Sequence, residues 1–144
     1  NTFHVTEEYN VLRSNRNDHY RPDIVLFVNG IPMVIIECKS NVIKDPVNEA
    51  ISQHLRNQYE DGIRGLYQYS NLVLALAVNE ARFGTTGTSK EFWSVWKEIF
   101  RTKEEGKQYG DAKTVYCLIR NAPPFSISDL RMYCTTSIRW RKKK

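Results

Sequence analysis

Residues 21–40 read RPDIVLFVNGIPMVIIECKS, and the fold turns on how this stretch pairs with itself. Two apolar runs flank Asn29-Gly30, a strong short-range signal for a β-hairpin. Both runs are apolar on both faces: Val25 and Phe27 lie on one side, Ile24, Leu26 and Val28 on the other. Strands of that kind are central and covered on both sides. Yet Asp23, Glu37 and Lys39 stand at the end of the hairpin far from its turn. Charges placed where an apolar ladder leaves the core are costly to desolvate unless paired or metal-bound.

Register decides whether those three groups meet. Glu37 and Lys39 alternate with Cys38, so they share a face and the thiol takes the other. A plain two-residue turn at Asn29-Gly30 pairs Val28 with Ile31 and sets Asp23 opposite Ile36. Glu37 then falls on the wrong side of the sheet, because a slip of one residue swaps faces. An odd-length loop or a single bulge restores the match. Gly30 suits the left-handed position of a three-residue loop, and Pro32 lacks the donor that a regular ladder needs. The expectation is therefore a longer loop or a bulge near Ile31-Pro32.

Pro22-Asp23, thirteen intervening residues, then Glu37-Cys38-Lys39 resembles the PD-(D/E)xK nuclease signature. The fuller stretch is similar to the N-terminal nuclease domain of the R (motor) subunit of type I restriction endonucleases. The similarity runs over about residues 3–100 and takes in ARFGTTGT at 81–88 and FWSVWK at 92–97. The short signature alone is weak, and on its own an ordinary cross-strand ion cluster is the better reading. The extended match reverses that preference.

The resemblance implies an α/β, restriction-endonuclease-like fold with a central mixed β-sheet flanked by α-helices. It implies catalysis by Asp23, Glu37, Lys39 and Gln53. One Mg²⁺, with Mn²⁺ able to substitute, would be held by Asp23, Glu37 and the backbone carbonyl of Cys38. Hard divalent cations bound by carboxylates supply most of what phosphodiester hydrolysis needs, and Lys39 would reach the attacking water or the phosphate. Relatives of this kind carry a glutamine followed closely by a tyrosine on the next helix. Gln53 matches the first position; Asn57 and Gln58 stand where the tyrosine is expected, and Tyr59 comes late. Gln58, Tyr59, Arg82, Thr85 and Thr86 are candidate DNA contacts, the last three in a glycine-rich ribbon whose amides and hydroxyls suit phosphates. Simple turn chemistry around Gly84 and Gly87 competes with that reading. Some nucleases of this superfamily use an upstream acid, for which Glu7 and Glu8 are the candidates present. The partners implied are double-stranded DNA and the modification and specificity subunits of a restriction complex.

At 144 residues the chain reads as a single nuclease domain, a fragment of a larger subunit. With 41% hydrophobic and 26% charged residues it is globular rather than disordered. No apolar run approaches the ~20 residues of a membrane span, and no signal peptide opens the chain. Three widely spaced cysteines fit a reducing cytoplasm better than a disulfide framework, and none has zinc-site spacing. The net charge of +5 is compatible with a polyanionic partner. Gly106-Lys107 lacks the rest of a P-loop, so an ATP-driven motor would lie outside this chain.

Elsewhere, residues 3–11 alternate as a half-exposed strand does. Asp45-Pro46 opens a helix expected over 46–60, its inward stripe Val47, Ile51, His54, Leu55 and Gln58. His54, Trp93 and Trp96 read as core residues. Residues 72–78 form a buried strand that turns into a ribbon over 81–86, and Ser89 caps a helix expected over 90–101. A strand over 114–120 and a short helix over 128–134 complete the expectation, with residues 102–144 the least placeable part. Two rivals remain: a non-catalytic DNA-binding or assembly module on a nuclease fold, and a repair or recombination nuclease of the same superfamily.

Overall fold

The computed structural model describes residues 1–40, 42–77 and 80–96. In chain order the elements are β1 (Phe3–Glu7), β2 (Val11–Leu12), β3 (His19–Tyr20), β4 (Ile24–Val28), β5 (Ile31–Cys38), α1 (Pro46–Asn57), α2 (Arg64–Tyr67), β6 (Leu72–Leu76), β7 (Ala81–Gly84), a 3₁₀ turn (Lys90–Phe92) and β8 (Ser94–Val95). Six of the strands form one sheet in the order β1-β4-β5-β6-β7-β8, and β2 and β3 form a separate ribbon. β5 and β6 are parallel, joined by the crossover through α1 and α2; the other pairs are antiparallel. The chain therefore has the mixed α/β architecture expected. The expected elements at 114–120 and 128–134 lie outside the described residues.

The hairpin solves its register problem with a bulge. Asn29 and Gly30 both have positive φ, 51° and 81°, as a type I′ two-residue turn requires. Val28 pairs with Ile31 and Phe27 with Pro32; the register then shifts, and Leu26 pairs with Val34, Val25 with Ile35 and Ile24 with Ile36. Met33 is the residue left over. The loop is thus short, and the correction sits just past Pro32. Pro32 occupies a place where the ladder is about to break, as a residue without a donor should.

That register sorts the core into two layers. Val25, Ile35, Val73 and Ala75 face Val47, Ala50 and Ile51 of α1 and Leu66 and Tyr67 of α2. Ile24, Leu26, Ile36, Cys38, Leu74, Leu76 and Ala81 form the core of the opposite face. Each wholly buried aliphatic side chain contributes about 1.5–3 kcal/mol, so the strands cannot slip without exposing one set.

α1 begins at Pro46 and buries Val47, Ala50, Ile51, His54 and Asn57 at helical spacing. Asp45 precedes it, but its carboxylate takes the Asn48 side-chain amide at 2.7 Å rather than a backbone N–H. The helix stops short of residue 60 because the chain folds back over its end. Gly62 permits this: a Cβ there would stand 2.4 Å from the Asn57 carbonyl oxygen.

Two expectations need correction. The strand over 3–11 is interrupted: β1 ends at Glu7, Glu8 turns the chain with φ 43°, and Val11 belongs to the small ribbon. The helix over 90–101 does not form in its described part. A single 3₁₀ turn gives way at Trp93 to extended backbone, and β8 pairs with the open edge of β7. Trp93 and Trp96 would share a face of a helix; extended, they separate. Trp93 packs in the α1 layer and Trp96 against the opposite one, edge-on to Phe83 at 5.4 Å. Both are core residues, as expected. The competing pull was the unpaired edge of β7, which local helix propensity does not register. No helix among the described residues is long and apolar enough to cross a membrane.

Candidate active site

The bulge at Met33 sets the chemistry of the hairpin's open end. Continuing the Ile24–Ile36 register by one residue brings Asp23 opposite Glu37, on the face that α1 covers. Glu37 pairs with Ala75 of β6, whose small side chain leaves room beside the carboxylate. Asp23, Glu37 and Lys39 are 6%, 0% and 8% exposed, so the cluster lies inside the end of the sheet rather than on its rim.

The groups are oriented by bonds from neighbouring backbone and from α1. The Cys38 backbone N–H donates to Asp23 Oδ2 at 2.7 Å, tying β4 to β5 across the row. This bond fixes the direction of the carboxylate. Lys39 is anchored through its main chain, whose N–H donates to the Leu76 carbonyl at 2.8 Å. Its Nζ lies 3.9 Å from Glu37 Oε2 and donates to Gln53 Oε1 of α1. Burying an ion costs several kcal/mol, and the ammonium offsets part of that cost for Glu37. The cysteine thiol points to the opposite layer, as strand alternation demands.

A hydrogen-bonded group stands behind these residues. His54 is wholly buried, with Nδ1 2.9 Å from Tyr67 Oη and Nε2 2.9 Å from the Leu74 carbonyl oxygen. Burial pushes its pKa down to about 4, with the Lys39 charge acting in the same direction against the backbone bond. Burial and then the Glu37 charge raise the Tyr67 phenol, against a hydrogen bond from the Asn57 side chain. Asn57 stands where the resemblance places a tyrosine; the phenol that meets it comes instead from α2. Sequence reading missed Tyr67, because nothing local marks a residue that reaches the site through a tertiary contact.

Among the described residues no three His, Cys, Asp or Glu groups cluster so as to hold a metal ion. Asp23 and Glu37 stand there as a pair of hard carboxylates. Mg²⁺ is the cation that such a pair suits, since it keeps several waters and takes one or two carboxylates with substrate phosphate. Of the upstream acids, Glu7 pairs with Ile24 and so takes the face away from Asp23; burial and Glu8 raise its pKa. Glu8 is exposed, and its backbone N–H donates to the Asp23 carbonyl at 2.9 Å.

The remaining candidates divide. Arg82 pairs with Ala75, on the row and face of Glu37, with roughly 10 Å between the two backbones; its Nε donates to Glu80 Oε1 at 2.7 Å. Gln58, Thr85 and Thr86 lie toward the other end of β6. Gln58 Oε1 accepts the Gly87 N–H at 2.8 Å. Thr85 bonds Thr88 through both its N–H and its hydroxyl, and the Thr86 hydroxyl donates to the Tyr67 and Ser70 carbonyls at 2.9 and 3.2 Å. Tyr59 is exposed just past α1.

Comparison with known proteins identifies the family. The model of the family described as type I restriction enzyme R protein N terminus matches residues 1–92. A putative type I restriction enzyme MjaIXP endonuclease subunit of Methanocaldococcus jannaschii is 30% identical over 100 residues, 69% of this chain and 9% of that protein. The putative MjaVIIIP endonuclease subunit of the same organism is 32% identical over 109 residues, 75% of this chain and 10% of that protein. The type I restriction enzyme HindI endonuclease subunit of Haemophilus influenzae is 26% identical over 100 residues, again 69% and 9%. The chain thus matches about a tenth of the length of these relatives. No solved structure matches it.

Proposed function

The chain belongs to the family of type I restriction enzyme R protein N termini, and from that premise we propose that it is a metal-dependent endonuclease domain that hydrolyses DNA phosphodiester bonds. The observation that carries the reading is the bulge-corrected register, which turns Asp23, Glu37 and Lys39 to one face at the open end of the hairpin.

Asp23 and Glu37, with the Cys38 carbonyl, would hold Mg²⁺ or Mn²⁺. A cation there supplies positive charge to the phosphoryl oxygens and lowers the pKa of water. The chain's own groups do the rest. The Cys38 N–H keeps the Asp23 carboxylate aimed along the row. Glu37, enclosed by the sheet and α1, keeps bulk water from one side of the site. Lys39 presents a compact ammonium to the attacking water or the phosphate, and Gln53 fixes where that ammonium points. Arg82 and the exposed Tyr59 would contact the DNA backbone, whereas Gln58, Thr85 and Thr86 hold the ribbon. Cleavage by this domain would be indifferent to sequence. Recognition would fall to specificity and modification subunits, and ATP to a motor outside this chain.

The test is Mg²⁺- or Mn²⁺-dependent nicking of plasmid DNA by the intact R protein with its partner subunits. Glu37→Ala and Lys39→Ala should each lower the rate by about 10²–10³-fold or more. Equal cutting by wild type and both variants would instead make the domain a DNA-binding or assembly module.

A further inference from the structure

We propose that His54 and Tyr67 are positioning residues for the Lys39–Gln53 pair: together they form a buried brace that fixes how α1 turns Gln53 toward β5. The inference rests on the nuclease reading above.

The bonding pattern of the brace is determined by its partners. A backbone carbonyl can only accept, so the bond from His54 to Leu74 requires the hydrogen on Nε2. Nδ1 then has only a lone pair, and it is Tyr67 that donates to it. The phenol is in turn held by the Asn57 side chain, one helical turn further along α1. His54 is thus bonded on one side to the backbone of the central strand β6 and on the other to α2. The low pKa of the imidazole and the raised pKa of the phenol keep both groups neutral, which preserves this pattern across ordinary pH.

Position converts the pattern into a role at the site. Leu74 pairs with Ile36, the residue before Glu37, so the brace is anchored one row from the catalytic cluster. His54 follows Gln53 directly, and adjacent helical residues are about 100° apart around the axis. Fixing the rotation and height of α1 at His54 therefore fixes the direction of Gln53, whose Oε1 receives the Lys39 ammonium. The Lys39 charge is felt at His54 and the Glu37 charge at Tyr67, so the brace lies against the site rather than elsewhere in the core.

The experiment compares the intact R protein with Tyr67→Phe, His54→Leu and His54→Gln. Leucine keeps bulk without a donor, whereas glutamine keeps a donor at the Nε2 position. Two quantities are measured: the Lys39–Gln53 bond in structures of each variant, and kcat and KM for plasmid nicking with Mg²⁺. Tyr67→Phe and His54→Leu should break or displace that bond and lower kcat about tenfold, with KM for DNA little changed; His54→Gln should restore both. An unmoved bond in folded Tyr67→Phe and His54→Leu, or a kcat equal to wild type in both, overturns the brace. A wild type that does not cut overturns the nuclease reading instead, and the structural measurement then decides the brace alone.

Discussion

The two ends of the sheet carry polar groups of similar promise in sequence and different use in structure. At the open end of the β4–β5 hairpin, Asp23, Glu37, Lys39 and Gln53 converge from two strands and a helix onto one place. Toward the other end of β6, the Thr85, Thr86 and Thr88 hydroxyls and the Gln58 carbonyl bond one another, the ribbon or nearby main chain. Hydroxyls beside glycines resemble a phosphate grip, but a donor already bonded to a carbonyl of its own chain has little left for a ligand. What separates the two ends is where the bonds go: within the ribbon and nearby main chain at the second, and at the first also between side chains of a strand and a helix.

The largest effect should come from attacking the register on which the first end depends. Removing Met33 alone converts the hairpin to a regular two-residue one and keeps Ile24 opposite Ile36, so the cluster and cleavage should survive. Removing Met33 and Val34 together pairs Ile24 with Glu37 and turns the carboxylate into the wrong layer; cleavage should vanish and the melting transition fall sharply. Plasmid nicking and thermal unfolding of the two deletions check this. Should both deletions behave alike, the pairing of Ile24 with Ile36 does not set the site.

A smaller effect belongs to the brace between the ends. The His54 pKa falls from 6.5 in the unfolded chain to about 4 in the fold. The unfolded chain therefore binds the proton first as pH falls. Stability from neutral His54 is fully present above pH 6.5, declines as pH falls toward 4, and changes no further below that. The loss approaches roughly 3 kcal/mol. Denaturant unfolding across this range should show that slope in wild type, and His54→Gln should flatten it; parallel curves would mean that the imidazole is not held neutral.

The smallest effect tests the ribbon. Thr86→Val deletes one hydroxyl donor, at a stability cost of about 1 kcal/mol, and should leave DNA affinity and nicking unchanged, whereas Arg82→Ala should weaken DNA binding. A filter-binding measurement in which Thr86→Val weakens binding as much as Arg82→Ala would erase the distinction between the two ends.

Much of the first end was legible in residues 21–40. Alternation places Glu37 and Lys39 on one face, and the mismatch with Asp23 in a regular hairpin demands either a bulge or an odd-length loop. The bulge is the alternative realised: it falls at Met33, directly after Pro32, and the loop stays short because the type I′ turn uses Asn29 and Gly30 fully. Gln53 was expected from the family resemblance, which places a glutamine on the helix after β5. Tyr67 was not, since its partnership with His54 and Asn57 is made by packing α2 against α1, a contact without a sequence period. The stretch after Ser89 misled for the same reason: its aromatic spacing fits a helix, and only the unpaired edge of β7 makes a strand of it.

The central claim is that Asp23 and Glu37, opposite each other across β4 and β5, hold one cation between them. Mn²⁺ binding to the intact R protein, followed by electron paramagnetic resonance, tests it without requiring turnover. Asp23→Asn and Glu37→Gln should each weaken the site by about tenfold or more, and Thr86→Val should bind as wild type does. Mn²⁺ bound equally well by the wild type and both carboxylate variants would contradict the claim.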